Sequence, residues 1–179
     1  AKGYRYWALG HVHSRAILNP QSPAIVYPGN TQGRHRSESG ARGVYLVDVD
    51  DSGRVTTSFR ETSVLRWETA VIDIAALESE QALIDAIETS VKALIVGGGG
   101  RDLVYRIIVS GRGDLHEAVR RHAFASDLRD HLNEIWVQDT PFAWCERVDI
   151  ATSEAFDRTA RLDGNDFMAD LLRLIDAAR

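Results

Sequence analysis

The sequence predicts an α+β protein with two regions of different architecture. Up to residue 66, short apolar runs and alternating stretches are separated by Gly, Pro, Asn and Asp, a pattern typical of strands joined by turns. From residue 67 onward, short apolar stretches alternate with segments whose apolar residues recur at helical spacing. We therefore divide the chain into a strand-rich region of residues 1–66 and a β-α-β-α-β-α region of residues 67–179.

The strand-rich region contains four predicted strands. Residues 4–9 form a short aromatic-rich strand that ends at Gly10, and residues 23–30 form an apolar run that a Pro-Gly-Asn turn closes. Residues 43–50 alternate in polarity and lead through the turn at residues 51–53 into residues 54–59. This last pattern predicts a β-hairpin.

The second region begins with a predicted strand over residues 67–74 and a helix that ends at the four glycines of residues 97–100. The helix is indicated by apolar residues at helical spacing and a candidate N-cap, namely Leu83, Ile87, Val91, Ile95 and Ser79. A strand over residues 103–109 follows, and then a single second helix marked by Leu115, Val119, His122, Leu128 and Leu132, with Asp114 as its N-cap.

Two further elements complete this region. Residues 142–150 predict a strand whose core face carries Phe142, Trp144, Val148 and Ile150. A last helix has the apolar stripe Phe167, Leu171 and Ile175.

Charge is distributed unevenly along the chain. Residues 1–43 carry six basic residues and one acid, a net charge of +5 within a chain of −5, so the remainder carries −10. This asymmetry favours an anionic ligand at the front, although chance placement of six charges remains an alternative. One cysteine and no apolar run of membrane-spanning length lead us to expect a cytoplasmic protein without membrane association.

Two histidines follow the first predicted strand, His11 and His13, directly after Gly10. In an extended chain, residues two apart project to the same side, so both imidazoles would enter one space. Such a pair suits metal ligation, and in a two-metal centre each histidine could serve a different ion about 3.5–4 Å apart. An ordinary His-x-His at a strand end is the alternative.

Three short motifs follow one another in the sequence: Gly-His-Val-His at residues 10–13, Pro-Gly-Asn at residues 28–30 and Gln-Gly-Arg at residues 32–34. Together they resemble the calcineurin-like metallophosphoesterase superfamily, in its DNA-repair exonuclease branch of SbcD- and YhaO-like proteins. The resemblance implies that residues 1–66 are the C-terminal portion of a metallophosphoesterase β-sandwich and that residues 67–179 are a small α/β capping domain. The family's earlier motifs would precede residue 1, so we expect a C-terminal half that is inactive alone.

The resemblance also implies the site and its partners. His13 would bind the first and His11 the second of two divalent metal ions, usually manganese, and the reaction would be hydrolysis of a DNA phosphodiester. Arg34 and His35 lie on a loop that could contact phosphate, or could simply be solvated. Further expected partners are an SMC-like coiled-coil ATPase and either the missing N-terminal half or a second copy of the chain. The strand at residues 4–9 would otherwise leave a sheet edge exposed.

Two other functions stay open: a non-catalytic DNA- or partner-binding module, and a metallophosphatase or phosphodiesterase with a non-DNA substrate. No independent catalytic site is predicted elsewhere. The remaining histidines are interpreted as surface or packing residues, Gly111–Gly113 as a turn and Cys145 as a structural thiol.

Overall fold

The computed structural model describes residues 3–136, 138–156 and 161–177. Three separate sheets and four helices make up this part of the chain, in agreement with the predicted α+β class. The first sheet consists of β1 (Tyr6–Ala8), β2 (Ala16–Asn19) and β3 (Ala24–Tyr27) in the order β1-β3-β2. β3 pairs with β1 in parallel and with β2 in antiparallel orientation. β2 is absent from the sequence prediction.

The predicted hairpin is confirmed as β4 (Gly43–Val49) and β5 (Val55–Glu61), which pair in antiparallel register over their full length. The turn is held by Asp50, whose carboxylate accepts hydrogen bonds from Ser52 Oγ at 2.6 Å and from the Arg54 amide at 2.9 Å. Gly53 supplies the left-handed conformation that this turn requires, at φ +78°.

The third sheet is entirely parallel and contains β6 (Leu65–Asp73), β7 (Asp102–Arg112) and β8 (Ala143–Ser153) in chain order. The helices are α1 (Glu80–Gly97), α2 (His116–Val119), α3 (Phe124–Trp136) and α4 (Phe167–Ala177). Apolar side chains of α1 and α3 join one buried cluster with Leu103, Tyr105 and Ile107 of β7, so both helices pack on the same face of the sheet. The division predicted between residues 66 and 67 falls two residues inside β6.

Helix α1 confirms its prediction at both ends. Ser79 is the N-cap, and its Oγ accepts a hydrogen bond from the Ala82 amide at 3.1 Å. Leu83, Ile87 and Val91 are buried, and the helix ends where Gly98 serves as the C-cap.

The prediction of a single second helix was wrong, because the structure divides this segment into α2 and α3. Ala123 adopts φ +71°, a left-handed conformation that interrupts the helical hydrogen-bond ladder. The proposed N-cap was also wrong: the α2 N-cap is Leu115, without a side-chain hydrogen bond. Leu128 and Leu132 are buried as predicted because both lie in α3, whereas His122 lies between the two helices and is exposed.

The predicted core face of β8 is correct only after residue 146, where Val148 is buried and Ile150 packs against the core. The strand's register shifts between Tyr105, opposite Cys145, and Arg106, opposite Arg147, which leaves Glu146 as an extra residue in a bulge. The bulge reverses the alternation, so Ala143 and Cys145 are buried while Trp144 is 43% exposed. In α4 the predicted stripe of Phe167, Leu171 and Ile175 is exposed, and the buried residues are Ala169 and Leu172.

The loop between β3 and β4 contacts the start of the parallel sheet. Gln32 Nε2 donates to the Leu65 carbonyl at 2.8 Å, and Trp67 Nε1 donates to the Gly33 carbonyl at 3.2 Å. The Gly40 amide donates to the Trp67 carbonyl at 3.0 Å. These hydrogen bonds fix the loop against β6. Among the described residues, no helix combines the length and apolar character needed to cross a membrane.

Candidate functional site

The two histidines predicted as metal ligands lie on a turn, not on an extended strand. β1 ends at Ala8, the Val12 amide donates to the Gly10 carbonyl at 3.0 Å, and His11 has φ +76°. The premise that His11 and His13 share a strand face was therefore wrong. Both residues are exposed, so their side chains remain accessible to a ligand from solvent.

Three contacts from the loop that follows β3 fix the backbone of His13. Its carbonyl accepts hydrogen bonds from the Asn30 amide at 3.1 Å and from Arg42 Nη1 at 2.6 Å. A Cβ atom at Gly29, which has φ +78°, would lie 2.7 Å from the same carbonyl oxygen. The Pro-Gly-Asn turn therefore needs its glycine because the histidine-bearing turn packs directly on it.

Glu38 is the residue that sequence reasoning missed. Its carboxylate is buried, with 4% of the residue exposed, and Oε1 lies 2.5 Å from His13 Nδ1. Oε2 accepts a hydrogen bond from the Arg34 amide at 2.9 Å. Glu38 is the sole acid among the first 43 residues, and that isolation among basic residues was the signal available in the sequence.

The environment of Glu38 keeps its carboxyl group ionised. The backbone hydrogen bond from Arg34, followed by the side-chain hydrogen bond from His13, lowers the pKa of Glu38 from 4.5 to about 2. An ionised carboxylate can only accept hydrogen bonds, so His13 Nδ1 carries the proton and Nε2 is the basic nitrogen. A carboxylate that holds one ring nitrogen in this way orients the other toward a metal ion.

The structure brings one of the two predicted phosphate-binding residues next to this pair. His35 Nε2 lies 3.6 Å from Glu38 Oε1, and His35 Nδ1 lies 2.8 Å from Ser37 Oγ. Arg34 contributes its backbone amide to Glu38 and is exposed. Gly33 packs closely, because a Cβ atom there would be 2.6 Å from the Glu38 carbonyl oxygen. The Gln-Gly-Arg stretch thus shapes the loop that carries Glu38.

A second group of metal-ligating residues lies in the parallel-sheet region. His116, Glu117 and Glu154 place one ligand atom each within 4.8 Å of one another. The prediction of His116 as a packing residue agrees with its burial, since 7% of it is exposed.

The other candidates considered in the described part of the chain, Cys145 and residues 97–100, offer no reactive group. Burial raises the pKa of the Cys145 thiol to about 12, which removes its nucleophilic form at neutral pH. Residues 97–100 form the end of α1 and the connection to β7.

Two comparisons relate this chain to known proteins. The family model described as the middle domain of metallophosphoesterase YhaO matches residues 67–153. The chain is also 31% identical over 150 residues to the uncharacterized metallophosphoesterase YhaO of Bacillus subtilis (strain 168). These matches support the metallophosphoesterase family. The alignment covers 84% of this chain and 36% of the relative, so the chain spans about a third of that protein's length.

A metallophosphoesterase uses divalent metal ions to hydrolyse phosphoesters. The donor set around His13 fits such an ion, because an exposed imidazole with a carboxylate on its Nδ1 is a typical metal-ligating arrangement. The orientation imposed by Glu38 makes His13 the better-defined of the two histidines.

Proposed function

We propose that this chain is part of a metal-dependent DNA repair exonuclease that hydrolyses phosphodiester bonds. In this proposal residues 1–66 complete a metallophosphoesterase β-sandwich, and residues 67–179 form its capping domain. The support is the succession of three motifs at residues 10–13, 28–30 and 32–34, together with the family match over residues 67–153.

The observation that carries the proposal is the hydrogen bond between His13 and the buried Glu38 carboxylate. It holds the ring so that Nε2 is presented as a metal ligand. His13 would serve one metal ion and His11 the other. Manganese is the proposed metal, and when bound it would polarise the phosphate and activate the attacking water. The remaining ligands would come from residues outside this chain, which spans 36% of its relative.

Arg34 and His35 are proposed to contact DNA phosphates. Arg34 is exposed while its backbone is fixed by Glu38, so its side chain extends from a defined position beside His13. Arg suits phosphate because its guanidinium group can donate two parallel hydrogen bonds. The basic character of residues 1–43 supports an anionic substrate on this side of the molecule.

The proposed protein partners are an SMC-like coiled-coil ATPase and either the remaining part of the same protein or a second copy of this chain. The first sheet supports an assembly of the latter kind. Trp7 of β1 is 41% exposed, and Ile17 and Leu18 of β2 are 46% and 59% exposed. Both strands lie at edges of this sheet, where unpaired backbone groups can recruit another strand.

The test of the metal site is carried out in the full-length protein with three variants. His13→Ala should abolish manganese-dependent DNA hydrolysis, and calorimetry should show weaker Mn2+ binding. Glu38→Gln should weaken Mn2+ binding by about 10- to 100-fold, as loss of an orienting carboxylate typically does. His131→Ala, at an exposed histidine of α3, is the control and should leave both measurements unchanged. Equal effects of His13→Ala and His131→Ala would contradict the assigned role.

The substrate is tested separately by the salt dependence of DNA binding. Replacing Arg34 and Arg36 by Gln should weaken binding to all DNA sequences alike. The slope against log salt concentration should fall by about 1 for each DNA phosphate that the variant no longer neutralises. Arg36 Nη1 lies 3.7 Å from Glu146. Because this carboxylate already neutralises part of the charge of Arg36, we expect Arg34 to account for most of the change in slope. An unchanged slope with intact hydrolysis of a simple phosphodiester would favour a non-DNA substrate. Binding without hydrolysis of either substrate would favour a non-catalytic module.

A further inference from the structure

A cluster of potential metal ligands lies at the C-terminal ends of the parallel strands. The proposed nuclease function does not use it. β6, β7 and β8 end together at Asp73, Arg112 and Ser153. The loops that follow parallel strands all lie at this end of their sheet. The loops that follow β7 and β8 carry His116, Glu117 and Glu154 to this edge.

Two glycines allow the end of β7 and the loop after it to approach the end of β6 closely. A Cβ atom at Gly111, which has φ +92°, would lie 1.9 Å from Asp73 Oδ1, and one at Gly113 would lie 2.8 Å from the Ile74 carbonyl oxygen. The Gly113 amide reaches the Ser153 carbonyl at 3.4 Å. The loop is therefore compressed against two strand ends, and this places α2 and His116 next to the end of β8.

His116 is oriented like a metal ligand. Its side chain is 9% exposed, and Nδ1 lies 2.8 Å from the hydroxyl oxygen of Thr152 on β8. That contact fixes the ring with Nε2 3.8 Å from Glu117 Oε1 and 3.4 Å from Arg120 Nη1. Histidines that bind metals are commonly held through their second ring nitrogen in this manner.

We propose that His116, Glu117 and Glu154 bind a divalent transition-metal ion, at a site separate from His11 and His13. One imidazole nitrogen and two carboxylate oxygens suit ions such as Zn2+, and three protein ligands leave a coordination position for water. Both carboxylates are exposed, so they are free to close around an ion that arrives from solvent. Arg120 Nη1 lies 3.4 Å from His116 Nε2. A bound ion would take this position, so it must displace the Arg120 guanidinium.

The test is calorimetric titration of the full-length protein with Zn2+ chloride. Glu117→Gln combined with Glu154→Gln should abolish one Zn2+-binding step, and because both residues are exposed the fold should survive. Thr152→Val should weaken that step by about 10- to 100-fold through loss of the His116 partner. Arg120→Gln should tighten it, because the competing cation is removed.

Two controls separate this site from the nuclease site and from general electrostatics. Asp48→Asn combined with Glu134→Gln removes two exposed carboxylates, one in β4 and one in α3, and should leave the step unchanged. His11→Ala combined with His13→Ala should also retain it, which makes the result independent of the proposed function. The proposal is overturned if the step persists in Glu117→Gln/Glu154→Gln, or if it disappears in His11→Ala/His13→Ala.

Discussion

Asn133 substitutes for a neighbouring strand at the outer edge of the parallel sheet, and its removal should destabilise the protein substantially. Its Oδ1 accepts a hydrogen bond from the Cys145 amide at 2.7 Å, and its Nδ2 donates to the Cys145 carbonyl at 3.2 Å. Within the part of the chain that the structure describes, β8 is the last strand of its sheet, so its outer backbone groups have no neighbouring strand to pair with. Asn133 is buried and lies on α3, which it therefore joins to β8 beside the bulge at Glu146.

The expected magnitude follows from the two backbone groups that Asn133→Ala would leave unpaired. Each buried unsatisfied group costs about 1–3 kcal/mol, and a water entering the vacated space would recover part of this cost. We expect the free energy of unfolding to fall by about 2–4 kcal/mol, measured by urea denaturation. Asn133→Asp should also destabilise, because a carboxylate keeps the acceptor for the Cys145 amide but cannot donate to the carbonyl.

The neighbouring position provides the control. Glu134 is exposed on the same helix, so Glu134→Ala should change the free energy of unfolding by no more than about 0.5 kcal/mol. A decrease below about 0.5 kcal/mol in Asn133→Ala would refute the argument that this amide satisfies the edge of β8.

Three further predictions concern acid stability, the core and the thiol. The Arg34 amide and His13 lower the pKa of Glu38 from 4.5 to about 2. The native protein should therefore have a higher free energy of unfolding than Glu38→Gln above pH 4.5, and this difference should disappear as the pH falls toward 2. Urea midpoints of both proteins between pH 2 and 6 measure it, and a pH-independent difference would contradict the assignment. Ile87→Ala should lower the free energy of unfolding by about 2–5 kcal/mol because Ile87 is fully buried, whereas Val96→Ala, at a residue that is 78% exposed, should have little effect. Cys145 should react with iodoacetamide only after unfolding, because burial raises its pKa to about 12; rapid alkylation of the folded protein would show that the thiol is accessible.

Elements whose signals are local were predictable from the sequence. The Ser79 cap, the spacing of Leu83, Ile87 and Val91, and the glycines after the helix all lie within one segment, and α1 follows them at both ends. The hairpin β4–β5 is equally local, since its turn residues and alternating strands are contiguous. The three motifs at residues 10–13, 28–30 and 32–34 led to the predicted resemblance to metallophosphoesterases, because residue type and order are themselves the signal.

Features that depend on distant contacts required the tertiary structure. Glu38 binds His13 across 25 positions of sequence, so no local pattern connects the carboxylate to the imidazole that it orients. The bulge at Glu146 reverses the core face of β8, where α3 supplies hydrogen bonds through Asn133, and a strict alternation cannot anticipate an extra residue. The left-handed conformation of Ala123 likewise divides a continuous apolar pattern into two helices. The sequence by itself determined where α1, the β4–β5 hairpin and the strands of the parallel sheet form, because backbone propensity and periodicity act over a few residues. The tertiary structure decided which side chains meet, because hydrogen bonds and packing between segments outweigh those local preferences.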